Sequence, residues 1–165
     1  MSKIYVDEIL PKDNAKITAA DLQLPAGSVI QVVENNTIGR GNVDYNSTSW
    51  VNDVSVSITP KYSNSKILIT ATTSIVNSNG SNPAGGYNGI NRDGVNLICN
   101  EVYHSDSAQY YKNLSIQHLD SPNTTNQLTY SLAFWVYTGQ LRTFGNDSTV
   151  PNVRASSIIV QEIAQ

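Results

Sequence analysis

His104-Ser105-Asp106 brings together the three residue types of a hydrolytic triad. Three consecutive residues cannot converge on one reacting atom, because a triad is defined by spatial geometry and not by adjacency. The acids from which a glycosidase pair would be drawn are Glu101, Asp106 and Asp120. Glu101 and Asp106 flank an expected strand end, where solvated carboxylates are ordinary, and two positioned acids are what such chemistry needs. His104, His118 and the single Cys99 show no metal-ligand spacing, so no metal site is expected. Gly39-Arg40-Gly41 lacks the Lys-Ser/Thr element of a phosphate-binding loop and reads as a turn. The expectation is a protein without catalysis and without a cofactor.

What remains is binding. Tyr103, Tyr110 and Tyr111 stand close together around His104, Asp106 and Gln109, and Tyr87 lies in a glycine-rich stretch. Aromatic rings stack on sugar faces while short polar side chains take the hydroxyls; the same tyrosines also suit packing in a strand, with the hydroxyl finding a partner. Tyr87, Tyr103, His104, Tyr110 and Tyr111 are therefore the candidate receptor or glycan contacts. Trp135, inside Leu132-Ala133-Phe134-Trp135-Val136-Tyr137, is expected in the core, and Trp50 in the core or at a seam between subunits. Cys99 has no disulfide partner in the chain and is expected to pack as a small buried hydrophobe beside Leu97 and Ile98.

The elements that must position these residues are strands. Asp53-Val54-Ser55-Val56-Ser57-Ile58-Thr59-Pro60 alternates polar and apolar without error, the period of a strand with one buried face. Val29-Ile30-Gln31-Val32-Val33 is a dense β-branched run, and Ser65 to Val76 is long enough for a central strand. Asn77 to Gly89, rich in Asn, Ser and Gly, reads as a surface loop. Asn91-Arg92-Asp93-Gly94-Val95 reads as a hairpin, since Asp-Gly takes positive φ at both turn positions. Further strands are expected at Asn96 to Val102, Tyr110 to Gln117, Leu128 to Thr138 and Ala155 to Ile163, with turns at Ser121 to Asn126 and Gly145 to Ser148. No window sustains helical apolar spacing. The expected fold is all-β, an antiparallel β-sandwich or jelly roll of about eight strands.

The chain divides into an extended N-terminal arm, residues 1–25, and a β-sandwich domain, residues 26–165. The arm carries Ile4, Val6, Ile9 and Leu10 before Pro11 and cannot bury them on itself, so it is expected to lie against its own domain, a neighbouring subunit or an anchoring partner. At the other end, a strand reaching Ile163 is expected to tie the terminus into the sheet.

The whole chain of 165 residues fits one domain. Only 14% of residues are charged, the net charge is −3 and no Lys/Arg run exists, so no nucleic-acid partner is expected. No apolar run is long enough to span a bilayer, and residues 1–8 lack the apolar stretch of a secretory signal. A protein made and kept in the cytosol, or released only by lysis, is expected.

Several segments in order resemble the virion-appendage and tail-fibre modules of bacteriophages, of the marine and cyanobacterial type. These are Leu24-Pro25-Ala26-Gly27-Ser28-Val29-Ile30-Gln31-Val32-Val33, Ser47-Thr48-Ser49-Trp50-Val51, Ser55 to Pro60, Ser63-Asn64-Ser65-Lys66-Ile67-Leu68-Ile69, Leu119 to Thr125, and Ala155 to Ala164. Ser2-Lys3-Ile4-Tyr5-Val6-Asp7 with Ile9-Leu10-Pro11-Lys12 resembles the leader before such modules. Asn77 to Tyr111 matches no fixed pattern of the family. The resemblance implies a non-enzymatic virion protein that assembles as a homotrimer, joins other virion proteins through the arm and contributes to host-surface adhesion. Without a long shaft, a fibre knob, a tip or a head-decoration protein suits the size. From another class, a soluble carbohydrate-binding module is the rival.

Overall fold

A computed structural model describes residues 24–38, 40–77, 83–104, 111–144 and 154–165. Their secondary structure is ten antiparallel strands with no helix among the described residues. They are β1 (Val29–Ile38), β2 (Val43–Tyr45), β3 (Val51–Ile58), β4 (Lys66–Asn77), β5 (Ala84–Arg92), β6 (Val95–His104), β7 (Tyr111–Asp120), β8 (Leu128–Thr138), β9 (Leu141–Thr143) and β10 (Arg154–Ile163). The all-β expectation holds, with two three-residue strands, β2 and β9, added to the eight long ones.

One sheet runs β1-β10-β4, with β7 also paired to β4 and with β9 and β2 beyond the stretch of β4 that β10 covers. The other runs β3-β8-β5-β6. Counting only the eight long strands in chain order, the sheets read 1-8-3-6 and 2-7-4-5. That is the strand order of a jelly roll, in which consecutive strands cross between two facing sheets except at one hairpin, here β5-β6.

The alternation in β3 places Val54, Val56 and Ile58 in the core. It turns Ser55 and Ser57 outward, where their hydroxyls pair with Ser131 (2.8 Å) and Thr129 (2.9 Å) on β8. Ile67 and Ile69 of β4, Tyr130 and Leu132 of β8, and Ile158 and Val160 of β10 complete the main core. Tyr45, Ile75, Val102, Phe134 and Leu141 form a second cluster. Each such side chain contributes about 1.5–3 kcal/mol by leaving water. The hairpin between β5 and β6 turns at Asp93 (φ 50°) and Gly94 (φ 86°), the conformation expected of Asp-Gly.

One segment departs from the sequence reading. Ala84 to Gly89 is not loop but the first part of β5, a central strand buried along nearly its whole length between β6 and β8. Glycine and asparagine composition argues for a turn when local propensity decides. Here tertiary packing decides, because neighbouring side chains need the volume that the glycines leave.

The strand reaching Ile163 is tied into the sheet as expected. β10 pairs β1 on one side and β4 on the other, and the Gly27 N–H donates to the Ala164 carbonyl at 2.9 Å. The N-terminal arm with Ile4, Val6, Ile9 and Leu10 lies outside the described residues.

Candidate functional site

Strand β8 reads Leu128-Thr129-Tyr130-Ser131-Leu132-Ala133-Phe134-Trp135-Val136-Tyr137-Thr138. Side chains alternate across a strand. Tyr130, Leu132, Phe134 and Val136 fill the two cores, so Trp135 and Tyr137 are delivered to the outer face of the four-stranded sheet. Trp135 is half-buried there, not a core residue, which corrects the sequence reading. Its register partner on β5 is Tyr87, whose own partner on β6 is Glu101. The rings of Tyr87, Trp135 and Tyr137 form a triangle with centroid separations of 5.5, 5.8 and 5.9 Å, all tilted, within the range of favourable aromatic packing.

The glycines of β5 make this arrangement possible. A Cβ on Gly85 would sit 2.6 Å from the Tyr137 ring, and one on Gly89 would sit 2.9 Å from the Trp50 ring. Removing those two methyl-sized obstacles lets one aromatic ring lie over each position. Trp50 is brought in by the segment before β3. The Trp135 indole N–H donates to the Thr48 carbonyl at 2.6 Å, and the Val136 N–H donates to the Ser47 carbonyl at 2.8 Å. These two bonds hold Ser47–Trp50 against β8. Trp50 therefore belongs to this outer patch rather than to the core.

Trp50, Tyr87, Trp135 and Cys99 line a groove of about 240 Å³. Cys99 is exposed at its edge, contrary to the buried position expected from Leu97 and Ile98; it pairs with Gly89 in the row beyond Tyr87. Tyr103, half exposed and paired with Gly85, extends the patch on the other side. The Tyr137 hydroxyl donates to Glu101 Oε1 at 2.9 Å. That bond to a carboxylate, aided by partial desolvation and the Glu101 charge, pushes the Tyr137 phenol up to about 12.

Of the residues singled out from the sequence, Tyr87 and Tyr103 fall on this patch. The backbones of His104 and Tyr111 begin or end strands, but their side chains, together with Tyr110, Ser105 and Asp106, lie outside the described residues. Glu101 faces outward with Tyr137, whereas Asp120 faces the interior, accepting the Tyr130 hydroxyl (2.7 Å) and pairing with Arg92 (2.7 Å). The two carboxylates are not brought together. Burial, then the bond to Asp120, raises the Tyr130 phenol far above its ordinary value. His118 is half-buried on β7, in the six-stranded sheet, and Cys99 lies on β6 of the other. Among the described residues, no group of three or more His, Cys, Asp or Glu could hold a metal ion. Arg40, read as part of a turn, pairs with the buried Asp53, which also accepts the Tyr45 hydroxyl at 2.5 Å.

A second hollow, about 310 Å³, lies on the six-stranded sheet among Thr72, Thr73, Ser74, Asn113 and Ser156. Most of its polar side chains are engaged with one another or with neighbours: Thr72 with Ser157 (2.9 Å), Thr73 with Ser156 (2.8 Å), and Ser74 with Asn113 (2.7 Å). This ladder joins strands and offers few open donors. The aromatic groove is the better site.

No protein-family model matches the sequence, and no characterised protein matches it. Among solved structures, the fold is similar to part of dimeric latent PorU from Porphyromonas gingivalis, with a TM-score of 0.35 and 10% identity. The likeness covers 84% of this chain and 13% of that one.

Proposed function

We propose that this chain is a non-enzymatic adhesion protein of a bacteriophage particle, holding saccharides of the host surface on the outer face of its four-stranded sheet. The observation that carries the proposal is the aromatic patch: Trp50, Tyr87, Trp135, Tyr137 and Tyr103 gathered on one exposed face over two glycines. A soluble protein gains nothing in core energy from rings on its outer face, and exposed apolar patches mark interaction sites. Flat rings that are apolar on the face and polar at the tip suit sugars, which are apolar on one face and hydroxylated at the edge.

Membership of a virion and assembly in three copies come from the resemblance of the ordered segments between Leu24 and Ala164 to phage appendage modules. Jelly rolls serve both as viral coat domains and as lectins, an analogy at the level of fold that is compatible with the reading. In this proposal the arm, through Ile4, Val6, Ile9 and Leu10, joins other virion proteins. Three copies then raise the effective concentration of a weak sugar contact, and subunit association adds stability outside the cell.

The test is affinity electrophoresis of the purified protein in gels containing host surface polysaccharide, with Trp135→Ala alongside. Retardation that the variant loses supports the proposal, and equal mobility with and without polysaccharide refutes it. Light scattering on the same sample separates the two rival classes. A trimer is expected, whereas a glycan-binding monomer would make the chain a soluble carbohydrate-binding module. Immunogold labelling of intact particles distinguishes a tail appendage from decoration of the head.

A further inference from the structure

We propose that the groove between Trp50, Tyr87 and Trp135 selects an uncharged pyranose ring and rejects anionic sugars. This rests on the saccharide reading above and narrows it to a chemical class. The groove is lined by two indoles, one phenol and one thiol, and no ionised side chain lines it. The Trp135 N–H is committed to the Thr48 carbonyl and the Tyr137 hydroxyl to Glu101, so these two rings offer faces rather than donors. A sugar is therefore gripped by stacking on its C–H face. At about 240 Å³ the groove is smaller than the roughly 300 Å³ at which sites enclosing larger ligands begin, which suits a single ring.

The charges around it decide the class. Glu101 lies in the same cross-strand row as Tyr87 and Trp135, and its carboxylate is exposed. A carboxylate accepts hydrogen bonds from sugar hydroxyls and repels a uronate or sulfate. No compensating cation is at hand among the described residues. Arg40, Arg92 and Arg142 are each paired with an aspartate, Asp53, Asp120 and Asp44 respectively. Lys66, Lys112 and Arg154 belong to strands of the opposite, six-stranded sheet, and Lys61 lies in the segment after β3, where its backbone N–H donates to Glu162. Anionic recognition needs Arg or Lys aimed at the acid. This face has the reverse polarity.

Cys99, exposed on the groove wall and the sole cysteine of the chain, is a built-in reporter of occupancy. The experiment screens the full chain on an array of neutral and acidic bacterial surface glycans, then measures iodoacetamide alkylation of Cys99 with and without each bound glycan. The expected result is binding confined to neutral glycans, slowed alkylation when they are bound, and loss of binding in Trp135→Ala and in Trp50→Ala. Trp50 precedes β3 and belongs to no strand pair, so its variant guards against misfolding. Glu101→Gln is expected to admit acidic glycans that the parent binds at least about tenfold more weakly than neutral ones. Acidic glycans bound as tightly as neutral ones, with Cys99 protected, would overturn the charge selection while leaving the saccharide reading in place. Glycan binding with Cys99 fully reactive and both tryptophan variants unimpaired would overturn the groove. A folded protein that binds no glycan on the array would overturn both readings.

Discussion

Glu162 is a fully buried acid, and Glu162→Gln is a stringent test of how the sandwich closes. Its side chain is fully buried on β10, opposite Gln31 of β1 and Ile67 of β4. Oε1 accepts the backbone N–H groups of Lys61 (2.8 Å) and Tyr62 (3.2 Å), and Oε2 accepts the Gln31 side-chain amide at 2.6 Å. Gln31 in turn donates to the Thr59 carbonyl at 2.8 Å. The carboxylate thus fastens the segment after β3 in one sheet to the β1-β10 pair of the other. Glutamine keeps the shape but has a single acceptor oxygen. If that oxygen serves Lys61 and Tyr62, two amide NH₂ groups face each other at Gln31; if Gln31 flips, the Thr59 carbonyl loses its donor. A hydrogen bond to a charged group contributes about 1.5–3 kcal/mol, so the loss should fall in that range. For a chain of this length the Tm should drop on the order of 5–10 °C. Glu162→Ala, which also strands two backbone N–H groups, should cost more, about 3–5 kcal/mol. Urea unfolding followed by circular dichroism measures both variants. A Glu162→Gln protein within about 0.5 kcal/mol of the parent, the range of neutral surface changes, would refute the reasoning.

Three further outcomes are expected. The phenols of Tyr45 and Tyr130 are raised chiefly by burial, and that of Tyr137 is raised to about 12 chiefly by its bond to Glu101. A folded-state pKa above the unfolded value gives stability that is full below pH ~10 and lost as pH rises through the folded values. Chemical denaturation should therefore show stability falling from about pH 10 upward, and ultraviolet titration of Glu101→Gln should move one phenol back toward 10; a flat stability profile to pH 12 contradicts this. Asn88 is buried in β5 with no hydrogen-bond partner for either side-chain polar atom among the described residues. Asn88→Leu, similar in size, should raise stability by about 1–3 kcal/mol in urea titrations, and a loss of stability would show that the amide is satisfied. Deleting residues 158–165 removes Ile158, Val160 and Glu162 from a strand paired on both edges, so the product should be unfolded by circular dichroism; a cooperative melt would contradict the central place of β10.

Much of the architecture was legible because local and global signals agree. The unbroken alternation of Asp53 to Pro60 needs only a second sheet to face, and Asp93-Gly94 can turn a hairpin in any context. The aromatic site was legible only in part. Tyr87 and Tyr103, candidate contacts by sequence, do lie on the patch, but Trp135 reads as core because Leu132 to Tyr137 is apolar throughout and hides the period of two. The available signal was steric, since Phe134 and Trp135 are adjacent in a strand and cannot both face inward. Cys99 misled for the same reason, as Leu97 and Ile98 both pack on the core around a register shift between Ile90 and Asn91. The glycines of β5 were the least legible. Their composition signals a loop, and it takes the Tyr137 ring over Gly85, and the Asn96 amide, the Ile98 carbonyl and the Trp50 ring around Gly89, to explain why these glycines sit within a central strand. Strand order across two sheets depends on long-range pairing that no local window contains.

If rings on the outer sheet face hold saccharide, Trp135 is the residue whose loss should be felt first. Trp135 touches Tyr87 and Tyr137 and lines the groove, yet contributes nothing to either core cluster. The measurement is isothermal titration of a glycan identified on the array into the parent and into Trp135→Ala, with circular dichroism confirming equal folding. Stacking of a ligand ring on one aromatic side chain contributes on the order of 1–3 kcal/mol by alanine substitution, so the variant should bind about tenfold to a hundredfold more weakly while folding normally. A folded variant that binds the glycan as tightly as the parent would contradict the account.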